Sequence, residues 1–152
     1  MNNLKAEGIN QEEMVEKLLT TFHLFRHKVF HDFKPETGET ALNRTQFRTL
    51  MAIHQAEAPH MSQVCSQLDL EKGSLTPVID GLIARGLVIR ERDQKDRRKV
   101  NLALTSAGEE LLKFHRGRAH RHLLAKLEVL SPAEVTRFGE AFAVIHEITL
   151  KL

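Results

Sequence analysis

The chain has no tryptophan and no tyrosine, and its only aromatic residues are eight phenylalanines, so its core must be built mainly from Leu, Ile, Val and Phe. A single cysteine, Cys65, excludes an intramolecular disulfide framework and a cysteine-rich zinc knuckle, and it fits a reducing compartment. No apolar run reaches the ~18 residues of a membrane-spanning helix, and no apolar stretch follows Met1 to Lys5 that would serve as a signal peptide. A cytoplasmic location without a membrane partner is therefore expected. A glycine-rich phosphate loop, a nucleophile elbow and an HExxH helix are also missing. The sequence implies no enzyme, no cofactor and no catalytic residue.

What is present is a chain of 152 residues with a net charge of +2, a size for which one domain is the prior. The charge is unevenly spread. Residues 85–99 carry seven basic side chains (Arg85, Arg90, Arg92, Lys95, Arg97, Arg98, Lys99) against Glu91, Asp93 and Asp96, which leaves the remaining chain slightly acidic. A concentrated positive segment on a nearly neutral protein is a footprint for a polyanion; on its own it also fits a solvated loop.

Helical periodicity organises most of the chain. Asn10 and Glu13 resemble a capping box, and Met14, Leu18, Phe22, Phe25, Val29 and Phe33 then recur at helical spacing until Pro35 and Gly38 intervene. This predicts a first helix over about 11–33, longer than a small core needs. Short helices follow over 45–53, behind Asn43, and over 62–68. A tight connection at Asp69 and Leu70 leads to a fourth helix over 72–85, closed by Gly86. The third and fourth helices form a helix-turn-helix pattern. Alternating residues on both sides of a polar tip at 93–97, ending in Val100, Leu102 and Leu104, predict a β-hairpin directly behind it. Ser106 and Glu109 then suggest a capping box for a fifth helix, in which Gly117 permits a bend or a close helix approach, and Ser131, Pro132 and Glu134 form the most specific cap of the chain ahead of a sixth.

A basic hairpin behind a helix-turn-helix is a wing, and the arrangement suits double-stranded DNA. The start of the fourth helix presents Lys72, Ser74, Thr76 and Asp80, with Gln63 and Gln67 on the helix before it. Serine and threonine can hydrogen-bond to bases or pack on thymine methyl groups. In the wing, Arg97 and Arg98 suit the negative minor groove, and Asp96 can hold Arg98, because residues two apart on an extended strand face the same way. The DNA-binding candidates are thus Lys72, Ser74, Thr76, Arg97 and Arg98, with Asp96 orienting the wing.

Residues 73–108, GSLTPVIDGLIARGLVIRERDQKDRRKVNLALTSAG, resemble the recognition helix and wing of the MarR family of bacterial regulators. The shared features are a Leu-Thr pair in the helix, a Gly-Leu-Val exit, a DxxDxR wing and a Leu-Thr-x-x-Gly entry to the next helix. The resemblance implies a mainly α fold, a winged helix-turn-helix of six helices with a two-stranded β-wing. It also implies a homodimer formed through terminal helices, bound to a pseudo-palindromic operator. By this resemblance Asp96 and Arg98 are the wing aspartate and the groove-reading arginine, Thr76 is a DNA-facing hydroxyl, and Leu82 and Leu104 are core. Residues 1–152 then form one domain, with 11–33 and 106–152 as dimerisation helices and 43–104 as the DNA-binding lobe. Departures occur at Gly81, Ala84 and Gln94. The Leu75-Thr76-Pro77 variant resembles the peroxide-sensing branch, but the first helix lacks that branch's cysteine.

The resemblance further implies a repressor relieved by a small aromatic or fatty effector held between the terminal helices and the reading lobe. Nine histidines raise the alternative of a metal-responsive regulator, since His23, His27 and His31 repeat every four residues and His115, His120 and His122 form a second cluster. The first ladder lies away from the apolar stripe, so a solvated face without a metal is expected. A winged protein-interaction module that does not bind DNA is the other alternative.

Overall fold

The computed structural model describes residues 10–56, 59–92 and 100–152. Helix α1 spans Gln11–Phe30, α2 Arg44–Gln55, α3 Met61–Leu68 and α4 Lys72–Ala84. Strands β1, Val88–Arg92, and β2, Val100–Leu104, follow, and α5, Ser106–Leu127, and α6, Pro132–Thr149, complete the chain. This is the mainly α, six-helix fold with a two-stranded antiparallel wing that the sequence implies.

The chain divides into two compact units, one within Met1–Lys34 together with Arg121–Leu152, the other Pro35–His120. In the second, α2, α3, α4 and the hairpin close around Leu50, Ile53, Val64, Leu75, Ile79, Leu82, Val88, Leu102 and Leu112. Full burial of such a side chain stabilises by about 1.5–3 kcal/mol before conformational entropy is subtracted. In the first unit the Phe25 ring packs at a tilt against Phe138 and Phe142 at centroid distances of 6.1 and 5.7 Å, yet no residue of α1 or α6 is buried.

Caps fix the element ends. Asn43 and Gln46 exchange reciprocal bonds at 2.8 and 3.0 Å ahead of α2, and Ser131 with Glu134 does the same ahead of α6. Two expected boxes are replaced. At α1 the Asn10 side chain accepts from the Glu12 N–H at 3.0 Å, so Glu13 is free to pair with Lys17. At α5 the cap is Thr105, whose hydroxyl accepts the Gly108 N–H at 3.0 Å, while Glu109 reaches His54. Helix α5 runs without a break through Gly117.

Candidate nucleic-acid interface

Within residues 35–120 the α3–α4 turn is made by Asp69, which takes up a left-handed conformation at φ 53° while the Leu70 N–H closes back on the Cys65 carbonyl at 2.9 Å. Asp tolerates this region better than most residues because its short polar side chain bonds locally. Helix α4 then runs to Ala84 and stops at Gly86, whose φ of 68° lets the Leu87 N–H reach the Leu82 carbonyl. Two residues after Gly86 the chain is in β1.

The hairpin is anchored at its root from two sides. The Leu102 N–H donates to the Pro59 carbonyl at 2.9 Å, which ties β2 to the segment entering α3. The Thr105 hydroxyl donates to the Gly86 carbonyl at 2.6 Å and its N–H to the Leu87 carbonyl at 3.1 Å. Gly108 sits so close under Leu87 that any Cβ there would collide with the Leu87 carbonyl oxygen. The end of α4, the base of the wing and the start of α5 are thus one rigid joint.

Lys72 and Ser74 lie exposed in the first turn of α4, and Thr76 is half-buried, its hydroxyl donating to the Lys72 carbonyl at 2.9 Å. The Thr76 hydroxyl can therefore offer an outside partner its oxygen or its methyl group, with its donor already used. Neither α3 nor α4 has an acidic residue in its first turn, but Glu71 stands at the N-cap of α4, so of the two helices only α3 begins without a carboxylate of its own. A cleft of about 490 Å³ opens between these helix starts and the hairpin, lined by His60, Ser62, Lys72, Thr76, Arg90 and Leu102. Asp96, Arg97 and Arg98 lie outside the described residues.

Three further polar residues read from sequence as base-facing have partners inside the protein. Gln63 accepts from the His60 N–H at 2.8 Å as part of the α3 cap, and Gln67 bonds Gln55 at 3.3 Å. Asp80 is paired with Arg90 of β1 at 2.6 Å, a contact that sequence reasoning did not foresee. Cys65 is a buried free thiol on the inner side of α3.

The histidines divide by environment. His23, His27 and His31 are exposed, the last two stacked at 5.4 Å. His115 donates to the Thr40 carbonyl at 2.8 Å and His122 to the Val29 carbonyl at 2.6 Å, so these two act as backbone clamps. Among the described residues no three His, Cys, Asp or Glu side chains converge as a metal site. No described helix is long and apolar enough to cross a membrane.

The family model described as MarR family matches residues 42–100, from the entry to α2 through the helix-turn-helix and β1 to the first residue of β2. The HTH-type transcriptional regulator YkoM of Bacillus subtilis is 33% identical over 104 residues, 66% of this chain and 68% of that protein. Among solved structures, YusO of Bacillus subtilis superposes with a TM-score of 0.71 at 15% identity, covering 91% of this chain and 99% of that one. BpsR of Bordetella bronchiseptica gives 0.57 at 25% identity over 88% and 98% of the two chains. The chain belongs to the MarR family of winged helix-turn-helix transcriptional regulators, DNA-binding proteins rather than enzymes.

Proposed function

We propose that the protein is a cytoplasmic homodimeric repressor that reads a pseudo-palindromic operator and leaves it when a small aromatic or fatty effector binds. The observation that carries the reading is the stripe of Lys72, Ser74 and Thr76 at the open start of α4, beside a hairpin bolted to the same helix. In this reading Ser74 and Thr76 meet base edges in the major groove and Lys72 a phosphate. Arg97 and Arg98 enter the flanking minor groove, with Asp96 orienting the latter.

The second copy is called for by the terminal helices. Leu18, Leu19 and Phe22 of α1 are 60, 61 and 69% exposed, and Val144, Ile145 and Ile148 of α6 are each more than half exposed. In this reading the dimer offers two reading lobes, residues 43–104 of each chain, to half-sites one helical turn of DNA apart, about 34 Å. For the effector, BpsR offers a precedent, because 6-hydroxynicotinic acid regulates its DNA binding. That favours an aromatic acid over a fatty one.

The test is fluorescence anisotropy on the duplex that the wild-type protein selects from a randomised pool, and on random duplex, across a salt series. Charge-assisted bonds contribute about 1.5–3 kcal/mol each, less at an exposed groove, so Arg98→Ala should weaken selected-duplex binding by roughly 10- to 1000-fold. Thr76→Ala should reduce discrimination more than it reduces random binding. Weak, salt-insensitive association of the wild type would instead point to a protein-interaction module, since phosphate contacts release counterions and an apolar contact does not.

A further inference from the structure

The alternation of the hairpin leaves one side chain on an unexpected side. Arg90 pairs with Leu102 across the ladder and Val88 with Leu104, and cross-strand partners share a face. Arg90 therefore leaves β1 on the same face as the buried Val88 and Leu102, the inner face, where alternation calls for an apolar residue. Its guanidinium is accommodated because Nη2 donates to Oδ1 of Asp80 at 2.6 Å, with the two side chains 43 and 54% exposed. Asp80 is itself placed with purpose. Lys72, Thr76 and Asp80 follow at intervals of four and share one face of α4, so the carboxylate stands at the far end of the row that opens the helix.

A bare carboxylate in that place would repel a DNA backbone; a paired one does not. The bond to Asp80 engages only one of the guanidinium's five N–H donors, and Arg90 lines the same cleft as Lys72 and Thr76. We propose that Asp80 is a positioning residue that aims Arg90 at a DNA phosphate at the junction of recognition helix and wing, so that Arg90 is a DNA contact in its own right. The proposal rests on the reading of α4 and the wing as the DNA-binding surface. Asp80 acts through Arg90, whose guanidinium holds its Oδ1 and offsets its negative charge. Removing its charge frees Arg90 to meet any phosphate without orientation, which raises indiscriminate attraction and lowers selectivity.

Three variants test this on selected and random duplex: Arg90→Gln, Asp80→Asn and the exchange Asp80→Arg with Arg90→Asp. Arg90→Gln should weaken selected-duplex binding about tenfold or more and reduce the salt slope by about two per dimer, one phosphate from each subunit. Asp80→Asn should leave the slope at least as steep and lower the ratio of selected to random affinity about tenfold. The exchange rebuilds the ion pair but moves the cation onto the helix. It should recover the melting temperature without recovering affinity or selectivity. Should the exchange restore both, the pair is only a structural tie and the proposal is overturned. It is equally overturned if folded Arg90→Gln binds within twofold of wild type with an unchanged slope. If Arg90→Gln does not fold, Arg90→Lys decides: it keeps the charge and loses the fork, so an unchanged slope with unchanged selectivity would overturn the proposal. Failure of the proposed function would look different, since the wild type itself would then select no duplex.

Discussion

The unit of Pro35–His120 and the smaller unit within Met1–Lys34 and Arg121–Leu152 hold nearly equal numbers of apolar residues but use them in opposite ways. In the first, three short helices and a hairpin cross one another, and Leu50, Leu75, Ile79 and Leu82 are completely shielded from solvent. In the second, α1 and α6 are long helices that share the Phe25, Phe138 and Phe142 cluster, and both keep every residue at least partly exposed. Short elements joined by tight turns can close a core within one chain, because each buries its stripe against neighbours on several sides. Helices α1 and α6, joined by the end of α5, cover their apolar rows only in part and leave a wide apolar stripe exposed, the kind of patch that marks an interaction surface.

The largest effect that would break this contrast comes from charging the leftover stripe. Leu18→Asp with Phe22→Asp should convert a species near twice 17.3 kDa, seen by light scattering at micromolar protein, into one near 17.3 kDa. Operator affinity should fall by about 100-fold or more, because two linked half-site contacts become one. A variant that keeps the dimer mass would place the interface elsewhere. Within the closed core, Leu75→Ala should lower unfolding free energy by about 2–5 kcal/mol in urea denaturation, the usual range for a buried leucine. Gly108→Ala should cost about 1–3 kcal/mol by forcing the Leu87 carbonyl away and loosening the joint between α4, wing and α5. If either variant unfolds at the wild-type urea midpoint, the tightness described for this unit is wrong.

The smallest effect sharpens the other side. Asp32 accepts from Lys126 at 2.8 Å, and chiefly this bond holds its carboxyl below the ordinary value near 3.8, against a weaker opposing effect of burial. A lowered folded value gives stabilisation that is full above the unfolded value and lost as pH falls through the folded one. Asp32→Asn should therefore lower the melting temperature slightly at neutral pH, with the difference vanishing in acid and shrinking in high salt, since the pair is exposed. A difference that persists in strong acid would exclude the ion pair as its source.

Much of the fold was legible because its signals are local. Helix periods, the Asn43 and Ser131 caps and the turn glycine at 86 involve residues within about one helical turn of each other, a distance over which the chain's own geometry leaves few choices. The positions of Lys72, Ser74 and Thr76 on α4 follow from that same period, and Asp96, Arg97 and Arg98 lie outside the described residues. Reading failed where two residues compete for one partner. Glu13 and Glu109 sit at the right spacing for capping boxes, but Lys17 and His54 take them.

Short-range order, then, belongs to the sequence: which segments are helices, where they begin, and that a hairpin follows a helix-turn-helix. Long-range choice belongs to the tertiary structure. It turned Arg90 inward onto Asp80, ten residues away, drew Gln67 to Gln55, and set His115 and His122 on carbonyls 75 and 93 residues distant. A charged or polar side chain carries no periodic mark of its partner, so its place is decided only when the packed backbone brings a complementary group within hydrogen-bond reach.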